Sequence, residues 1–273
     1  MKKLALALAA VAAFGGQALA ADMAVKARPA PPPVPVANWT GCYIAGSVGY
    51  GLFDNETTQF FVGPPDIVSG RSDQGGRGWL AGGGGGCDYQ FGLGTGGGLF
   101  GTGQFVIGFL ADYYWSDMRG NRPSPLGVFL GLGDTGQEKV DSQWAVGGRI
   151  GWLVNPNTLT YFSGGYTEAH LTGVGDFAIA PVNGGGFTGV LIPGRTVQGW
   201  FLGGGVEYQS GWLPGLTWKT EYRFSEYDRV NRAEFFNTPP IVATGFVSSD
   251  KLFTQTVMTS LVYRFNFWGA PRY

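Results

Sequence analysis

The most constraining feature of the chain is a strict alternation of side-chain character in the segment LTWKTEYRFSEY, residues 216–227. Apolar, aromatic and threonine side chains occupy one set of alternate positions, and Lys219, Glu221 and Arg223 lie in the other. A period of two indicates a β-strand whose successive side chains point to opposite faces. One face suits a core or a lipid bilayer, and the charged face needs either solvent or a polar lumen.

The same alternation recurs along the chain, over about the ten residues that a tilted strand needs to cross a bilayer. It is clear in four further segments: residues 104–116, 142–152, 197–208 and 252–265. It is weaker in two segments that glycines interrupt, residues 41–51 and 159–170. A glycine-rich segment, residues 79–92, brings the number of candidate strands to eight.

That glycine-rich segment, WLAGGGGGCDYQFG, suggests either a flexible linker or a strand. A linker would be expected to stay polar, yet this run is bracketed by Trp79 and Leu80 before it and by Tyr89 and Phe91 after it. The interior of an eight-stranded barrel is only wide enough for side chains to fill, so one strand must supply small residues where large neighbours point inward. We therefore predict a strand.

Connections between the candidate strands alternate in length. Short ones lie at residues 92–98, 155–157 and 210–215, and long ones at 52–78, 117–139, 172–194 and 229–250. The long segments are rich in Gly, Pro, Asn and Asp, which predicts loops. Short turns at one end and long loops at the other are typical of an outer-membrane barrel, whereas a soluble sandwich has no reason to alternate in this way.

Composition supports a membrane barrel over a soluble domain. The chain has 49 glycines, 15% aromatic and only 14% charged residues, with a formal net charge of -1, whereas soluble domains carry roughly a quarter charged residues. After the N-terminal region the sequence has no uninterrupted apolar stretch of some twenty residues, which excludes transmembrane helices. The sequence also lacks a basic patch with interleaved aromatics, so nucleic acid is not an expected partner.

The N-terminal region predicts export. Residues 1–20 combine two lysines, an apolar stretch and the small-residue sequence ALA, as in a cleaved signal peptide; an uncleaved membrane anchor is the alternative. Residues 21–38 are rich in proline, which predicts an extended periplasmic spacer. Residues 39–273 then form the barrel.

The two cysteines, Cys42 and Cys87, fall near the same level of the predicted first hairpin. An exported chain with an even number of cysteines in an oxidising compartment favours a disulfide. The alternative is a pair of buried thiols one register apart.

Charged residues on the predicted inner faces are the candidate site: Asp112, Arg149, Glu207, Lys219, Glu221, Arg223 and Arg264. They form either a salt-bridged plug or the lining of a narrow polar channel, and their balanced signs favour the plug. The chain has a single histidine, His170, which excludes a histidine metal cluster. We expect no cofactor, no metal and no enzymatic activity.

Several motifs, taken in order, resemble the small outer-membrane β-barrel proteins of α-proteobacteria, the porin-family or outer-membrane immunogenic proteins. They cover nearly the whole mature chain: NWTGCYIAG (38–46), GCDYQFG (86–92), GFLADYYWS (108–116), GRIGW (148–152), GWFLGGGVEY (199–208) and WKTEYRF (218–224). The resemblance implies an all-β, eight-stranded antiparallel transmembrane barrel in the bacterial outer membrane. It also implies contact with outer-membrane lipid and lipopolysaccharide, surface exposure and a role in envelope integrity. Some relatives are described as haem-binding or pore-forming, activities that do not transfer by fold.

Two departures from the family pattern stand out. Leu110 occupies a position where relatives commonly place an inward glutamate, and Gly147 one where many have an arginine, so one inner ion pair of the family is expected to be missing. The segment LVYRF, residues 261–265, resembles the aromatic-ending signal read by the barrel assembly machinery, but the chain continues to Tyr273.

Three functions remain open at this point. The first is a structural barrel with a filled interior, and the second is a narrow diffusion channel with unpaired inner charges. The third is a surface protein that binds a haem-like ligand or adheres through its loops, where the aromatics of TTQFFVGPPD (57–66) and EFFNTPP (234–240) either contact partners or pack on each other. The sequence leaves the oligomeric state open.

Overall fold

The computed structural model describes most of the predicted barrel: residues 38–63, 68–93, 101–123, 135–177, 189–210, 213–237 and 240–265. The predicted signal peptide, the spacer up to residue 37 and the tail after Phe265 lie outside the described residues. The division of the chain at residues 20 and 38 therefore stays a prediction.

Eleven strands form among the described residues: β1 (Gly41–Phe61), β2 (Val68–Gly92), β3 (Gln104–Pro123), β4 (Thr135–Asn155), β5 (Thr158–Leu171), β6 (Val174–Phe177), β7 (Val190–Ile192), β8 (Arg195–Gln209), β9 (Leu216–Tyr227), β10 (Val230–Phe236) and β11 (Ala243–Phe265). Eight of them pair in the order β1-β2-β3-β4-β5-β8-β9-β11, and β1 also pairs with β11. Every pairing in this ring is antiparallel. The predicted eight-stranded antiparallel barrel is confirmed.

The outer face of the wall is apolar over a band bounded by aromatic residues. At the upper end, away from Gly41 and Phe265, Trp79 is 70% exposed and Trp115 is 65% exposed. At the lower end Tyr89 is 62% exposed. Tyr89 and Trp79 are roughly ten residues apart in β2, or about 25 Å along the axis of a barrel with strands tilted by about 40°. This is the height of a transmembrane barrel's apolar band. Separately, no helix suited to spanning a membrane occurs among the described residues.

The strands extend well above the upper aromatic residues, which corrects the loop prediction. Of the four segments predicted as long loops, large parts are strand: β1 continues to Phe61, β2 starts at Val68, β3 continues to Pro123 and β11 starts at Ala243. Their inward polar residues, among them Asn55 and Thr57, are fully buried. Polar composition predicted loops here, but paired neighbours on both sides and a polar interior keep these segments in the sheet.

Three short strands broaden the upper end beside β11. The lower part of β11 pairs with β9, and its upper part pairs with β10 from Val230 onward. β7 pairs with β10, and β6 pairs with β7. Val174, Val190 and Ile192 form a small buried cluster there, with Phe236 packed against it.

The glycine run lies in the middle of β2, as predicted. Gly82 and Gly86 face the lumen under the side chains of Tyr114 and Tyr43. A Cβ atom on Gly86 would collide with the Phe109 carbonyl oxygen and would lie 2.6 Å from the Tyr43 hydroxyl. The glycines thus leave the space that large inward side chains of β1 and β3 occupy.

The disulfide joins the first two strands at the lower end of the wall. Cys42 in β1 and Cys87 in β2 are direct partners in the strand register, and their sulfurs are bonded. Tyr43 and Asp88, the residues that follow them, are buried in the lumen, so the alternation places both cysteines on the outer face.

Gly86 and Gly46 offer a matched test of this packing. We expect Gly86→Val to lower the free energy of unfolding by about 1–3 kcal/mol or more, because the added atoms overpack the lumen. Gly46→Val should cost nothing, since no atom lies within 4 Å of a Cβ built on Gly46 and valine favours strands. Urea unfolding in micelles, followed by loss of the heat-modifiable gel band, measures both. Equal losses would contradict the packing role of the run.

Candidate functional site: the barrel lumen

The lower charge layer consists of Asp88, Arg149, Glu207 and Arg264, which extend from four different strands into the lumen. Arg149 donates from Nε to Asp88 Oδ1 at 2.8 Å and from Nη1 to Glu207 Oε2 at 3.2 Å, and its Nη2 also contacts Asp88. Arg264 donates to Glu207 Oε1 at 2.8 Å and to Asp88 Oδ2 at 2.6 Å. Each arginine thus bridges both carboxylates, and the layer is electrically neutral.

Aromatic rings close the lower layer from below. The indole of Trp39, which is 1% exposed, lies with its ring 4.7 Å from the Arg264 guanidinium carbon. The Trp39 backbone oxygen accepts a hydrogen bond from Arg264, and its backbone nitrogen donates to the Gln90 side chain at 2.8 Å. The Tyr43 ring centroid lies 4.5 Å from the Arg149 guanidinium carbon. The first described residues therefore fill the lower mouth of the barrel.

The central charge layer consists of Asp112, Lys219, Glu221 and Arg223. Arg223 donates to both oxygens of Asp112, at 2.9 and 2.7 Å, and from Nε to Glu221 Oε1 at 3.0 Å. The other oxygen of Glu221 accepts from the Tyr161 hydroxyl at 2.7 Å and lies 3.6 Å from Lys219 Nζ. This layer is also neutral.

Two apolar groups accompany the central layer. Leu110 packs in the lumen with Ala145 and Phe201, and the Phe201 ring centroid lies 4.4 Å from the Arg223 guanidinium carbon. Leu110 and Gly147 are direct partners in the register of β3 and β4. Apolar packing around Leu110 therefore occupies the place where an inner ion pair of the family was expected to be missing.

Above the central layer, a larger set of buried side chains forms the apolar layer: Phe53, Leu80, Tyr114, Met118, Val140, Ala169, Leu171, Val197, Tyr227, Leu252 and Met258.

The upper charge layer lies above the apolar layer and consists of Arg122, Glu138, Arg195, Arg232 and Asp250. Arg122, which is fully buried, donates to both oxygens of Glu138 at 3.2 Å and to both oxygens of Asp250 at 2.9 and 3.0 Å. Arg232 also bridges the two carboxylates, with Nε 2.8 Å from Asp250 Oδ2 and Nη2 2.5 Å from Glu138 Oε1. These contacts join β3, β4, β10 and β11 across the lumen.

Arg195 is the weakly bound member of the upper charge layer. Its Nη1 lies 3.2 Å from Asp250 Oδ2 and its Nη2 donates to Asn55 at 3.4 Å. The buried Nε has no hydrogen-bond partner among the residues that the structure describes. These five groups carry one excess positive charge between them, and the buried carboxylate of Glu234 lies two positions from Arg232 on the same face of β10.

The pKa values in the upper charge layer follow from burial and from this excess charge. Burial opposes the charged form of Glu138 and Asp250, but the positive charges of Arg122 and Arg232 outweigh it and lower the pKa of both carboxyls. Burial and the like charge of Arg232 lower the pKa of Arg195 to about 10. Glu138, Asp250 and Arg195 are therefore charged at neutral pH.

The seven charged residues singled out from the sequence all lie in the lumen, distributed over the lower and central layers. Asp88 was not among the predicted residues, although the alternation within β2 sets it on the same face as Gly82, Gly84 and Gly86. The upper layer was not predicted either: Arg122, Glu138, Arg232 and Asp250 lay in segments predicted as loops, and Arg195 directly follows one. Among the described residues, no group of three or more His, Cys, Asp or Glu side chains is arranged to hold a metal ion.

No family model matches the chain. It is 28% identical over 268 residues to the 31 kDa outer-membrane immunogenic protein of Brucella melitensis biotype 1. The matched region covers 94% of this chain and 98% of the Brucella protein. The protein of the same name from Brucella suis biovar 1 matches to the same extent. These relatives confirm the predicted resemblance to α-proteobacterial outer-membrane proteins.

Among solved structures, the chain is similar to outer membrane protein OprG from Pseudomonas aeruginosa, with a TM-score of 0.41 and 12% identity over 84% of this chain and 98% of that one. It is similar to outer membrane protein AlkL with a TM-score of 0.36 and 10% identity over 90% of this chain and 100% of that one. Both TM-scores are below 0.5, so these structures do not establish the fold. The fold is established by the closed ring of strand pairings in the chain itself. With the full-length relatives, that wall identifies an outer-membrane β-barrel protein whose lower end is periplasmic and whose upper end faces outside.

Arg122 and Arg195 provide a matched test of the upper charge layer. We expect Arg122→Met to cost about 3–5 kcal/mol of unfolding free energy, because it leaves two buried carboxylates short of a partner. Arg195→Met should cost less than about 1 kcal/mol or stabilise the barrel, since it removes the excess cation. Urea unfolding in micelles measures both, and a larger loss for Arg195→Met would contradict the assignment.

Proposed function

We propose that the protein is a closed, structural barrel of the outer membrane that supports envelope integrity and exposes its upper strands at the cell surface. The observation that carries this proposal is the filling of the lumen. From the periplasmic end upward, the lumen holds Trp39, the lower charge layer, the central charge layer, the apolar layer and the upper charge layer.

The ion pairs support a closed lumen because they would have to break before water could form a path. Arg149 is 3% exposed, and Glu207 is fully buried. Removing one partner of such a pair strands a buried charge, at a cost of several kcal/mol. A cavity beside Tyr43, Leu110 and Lys219 has a volume of about 10 Å³, which is room for about one water molecule.

A narrow diffusion channel is the less favoured function. Such a channel needs inner charges that are free to meet passing ions, whereas the lower and central layers pair each of their charges within the layer. The apolar layer adds a densely packed region without a charged side chain. We therefore favour the plug over the channel.

Binding of a haem-like ligand or adhesion through the loops has no specific observation in its favour. The Phe61 ring packs against Phe246 with centroids 5.2 Å apart, and Phe236 packs against the small cluster of β6 and β7. These aromatics of the predicted loop segments thus contact other parts of the barrel. The Brucella proteins are named immunogenic, which is a property of those proteins.

We also infer that the protein is not an enzyme and needs no cofactor. His170 lies on the exposed face of β5, where its Nδ1 is 2.6 Å from Asp141 Oδ1. This is a surface pair between neighbouring strands, outside any enclosed site. Insertion by the barrel assembly machinery remains a proposal, supported by the residues LVYRF that end β11 at Phe265.

Planar-bilayer recording of the refolded protein tests the closed lumen. We expect a heat-shifted gel band, which reports a folded barrel, together with no discrete conductance steps, because the charge layers and the apolar layer fill the lumen. The same recordings are made on Arg223→Gln, in the central layer, and on Ile150→Ala, which changes only the outer face.

Discrete steps from the wild-type protein would contradict the proposal. If Arg223→Gln also changed the cation-to-anion selectivity of those steps while Ile150→Ala did not, the lumen itself would be the conducting path. The channel function would then replace the structural one.

A further inference from the structure

We propose that the outer face of the barrel carries a binding site for the phosphorylated headgroup of an outer-leaflet glycolipid, formed by Arg77, Arg119 and Lys139. These residues are called the cation row below. The proposal depends on the membrane location of the barrel and not on whether its lumen is closed.

The cation row lies at the level where lipid headgroups begin. Arg77 is two positions above Trp79 in β2, and Arg119 is four positions above Trp115 in β3. Trp79 and Trp115 belong to the upper aromatic boundary of the apolar band, and such residues sit at the membrane interface. The exposed side chains of Arg77 and Arg119 therefore lie beside the headgroups of the outer leaflet.

The strand register sets the three cations side by side. Arg77 is the direct partner of Arg119, and Arg119 is the direct partner of Lys139 in β4. Like charges placed directly opposite each other destabilise a strand pair. A row of three cations on neighbouring strands is therefore an arrangement that a bound anion would stabilise.

The row is only partly neutralised by the protein. Asp117 lies 2.8 Å from both Arg119 and Lys139. No ion pair joins Arg77 to any residue in the described part of the chain, and its partner in β1 is Leu52. Arg71, on the same face of β2, is by contrast paired with Glu56 at 2.7 Å. Arg77 is thus the cation of β2 that no ion pair with a described residue neutralises.

A cavity of about 580 Å³ opens beside the row on the outer wall. Gly75 forms part of its floor and lies on the same face of β2 as Arg77; a Cβ built on Gly75 would meet only the Phe53 backbone oxygen, at 3.4 Å. A larger residue at this position would extend its side chain into the depression.

The lining of the cavity suits a phosphorylated sugar. Its charged and polar side chains are Arg77, Arg119, Asn121, Gln255 and Asp54, and its apolar side chains include Leu52 and Phe253. Arginine binds phosphate through paired N–H groups, amides bind sugar hydroxyls, and apolar side chains suit the start of an acyl chain. Asp54 can accept from a hydroxyl; with Asp54 and Asp117 both counted, one positive charge remains in excess.

Native mass spectrometry of the refolded full chain in zwitterionic micelles tests the site, with bisphosphorylated lipid A as the probe. We expect the wild-type protein to retain it, and Arg77→Gln/Arg119→Gln to bind it about tenfold more weakly. Dephosphorylated lipid A should bind the wild-type protein about as weakly as the phosphorylated probe binds the double variant. Higher salt should weaken binding, because exposed charges are screened.

Arg71→Gln is the matched control, since it removes an exposed arginine from the same face of β2. It should bind lipid A like the wild-type protein, and the heat-shifted band confirms that each variant is folded. Equal affinities of the wild-type protein and the double variant would overturn the proposal, as would equal loss in Arg71→Gln. Displacement of lipid A by inorganic phosphate at matched ionic strength would show a site for free anions and overturn the lipid assignment.

Discussion

The structure depends on the closure of one β-sheet into a ring. In a bilayer every backbone N–H and C=O must be paired within the protein, so a sheet can span it only without free edges. The pairing of β1 with β11, from Cys42 opposite Phe265 to Phe61 opposite Phe246, provides that closure. Because Cys42 is also bonded to Cys87 on its other side, the start of β1 is fixed to both neighbouring strands at the lower end.

Closure with eight strands then decides what the interior can contain. The lumen is too narrow to hydrate each inward charge separately, so charges enter it in groups that neutralise one another. The lower and central layers lie within the height of the apolar band, where the dielectric constant is low, and both are neutral. The upper layer lies above that band and keeps one positive charge in excess, a state that costs less where water and ions are closer.

The sequence predicted those features that follow from alternation alone. A period of two assigns each residue of a strand to the lumen or to lipid, so Lys219, Glu221 and Arg223 could be placed inward before the fold was known. Asp88 was overlooked because the glycines before it have no side chains and so make the alternation of β2 hard to see. Alternation failed for Arg122 and Asp250. Above the membrane both faces of the wall are polar, and a two-sided polar strand has the composition of a loop. Which charges meet across the lumen depends on barrel geometry and could not be predicted from any single strand.

A filled lumen leaves the outer wall and the upper end as the surfaces on which this protein can meet other molecules. On most of that surface the cations are neutralised locally: Arg71 by Glu56 at 2.7 Å, and Lys251 by Glu226 at 2.6 Å. Arg77 departs from this pattern at the one height where the surroundings themselves supply negative charge. Anionic headgroups attract basic residues placed beside them, so an arginine that forms no ion pair with the described residues finds a counter-charge at that boundary. The distribution of ion pairs on the wall is therefore matched to the membrane as well as to the fold.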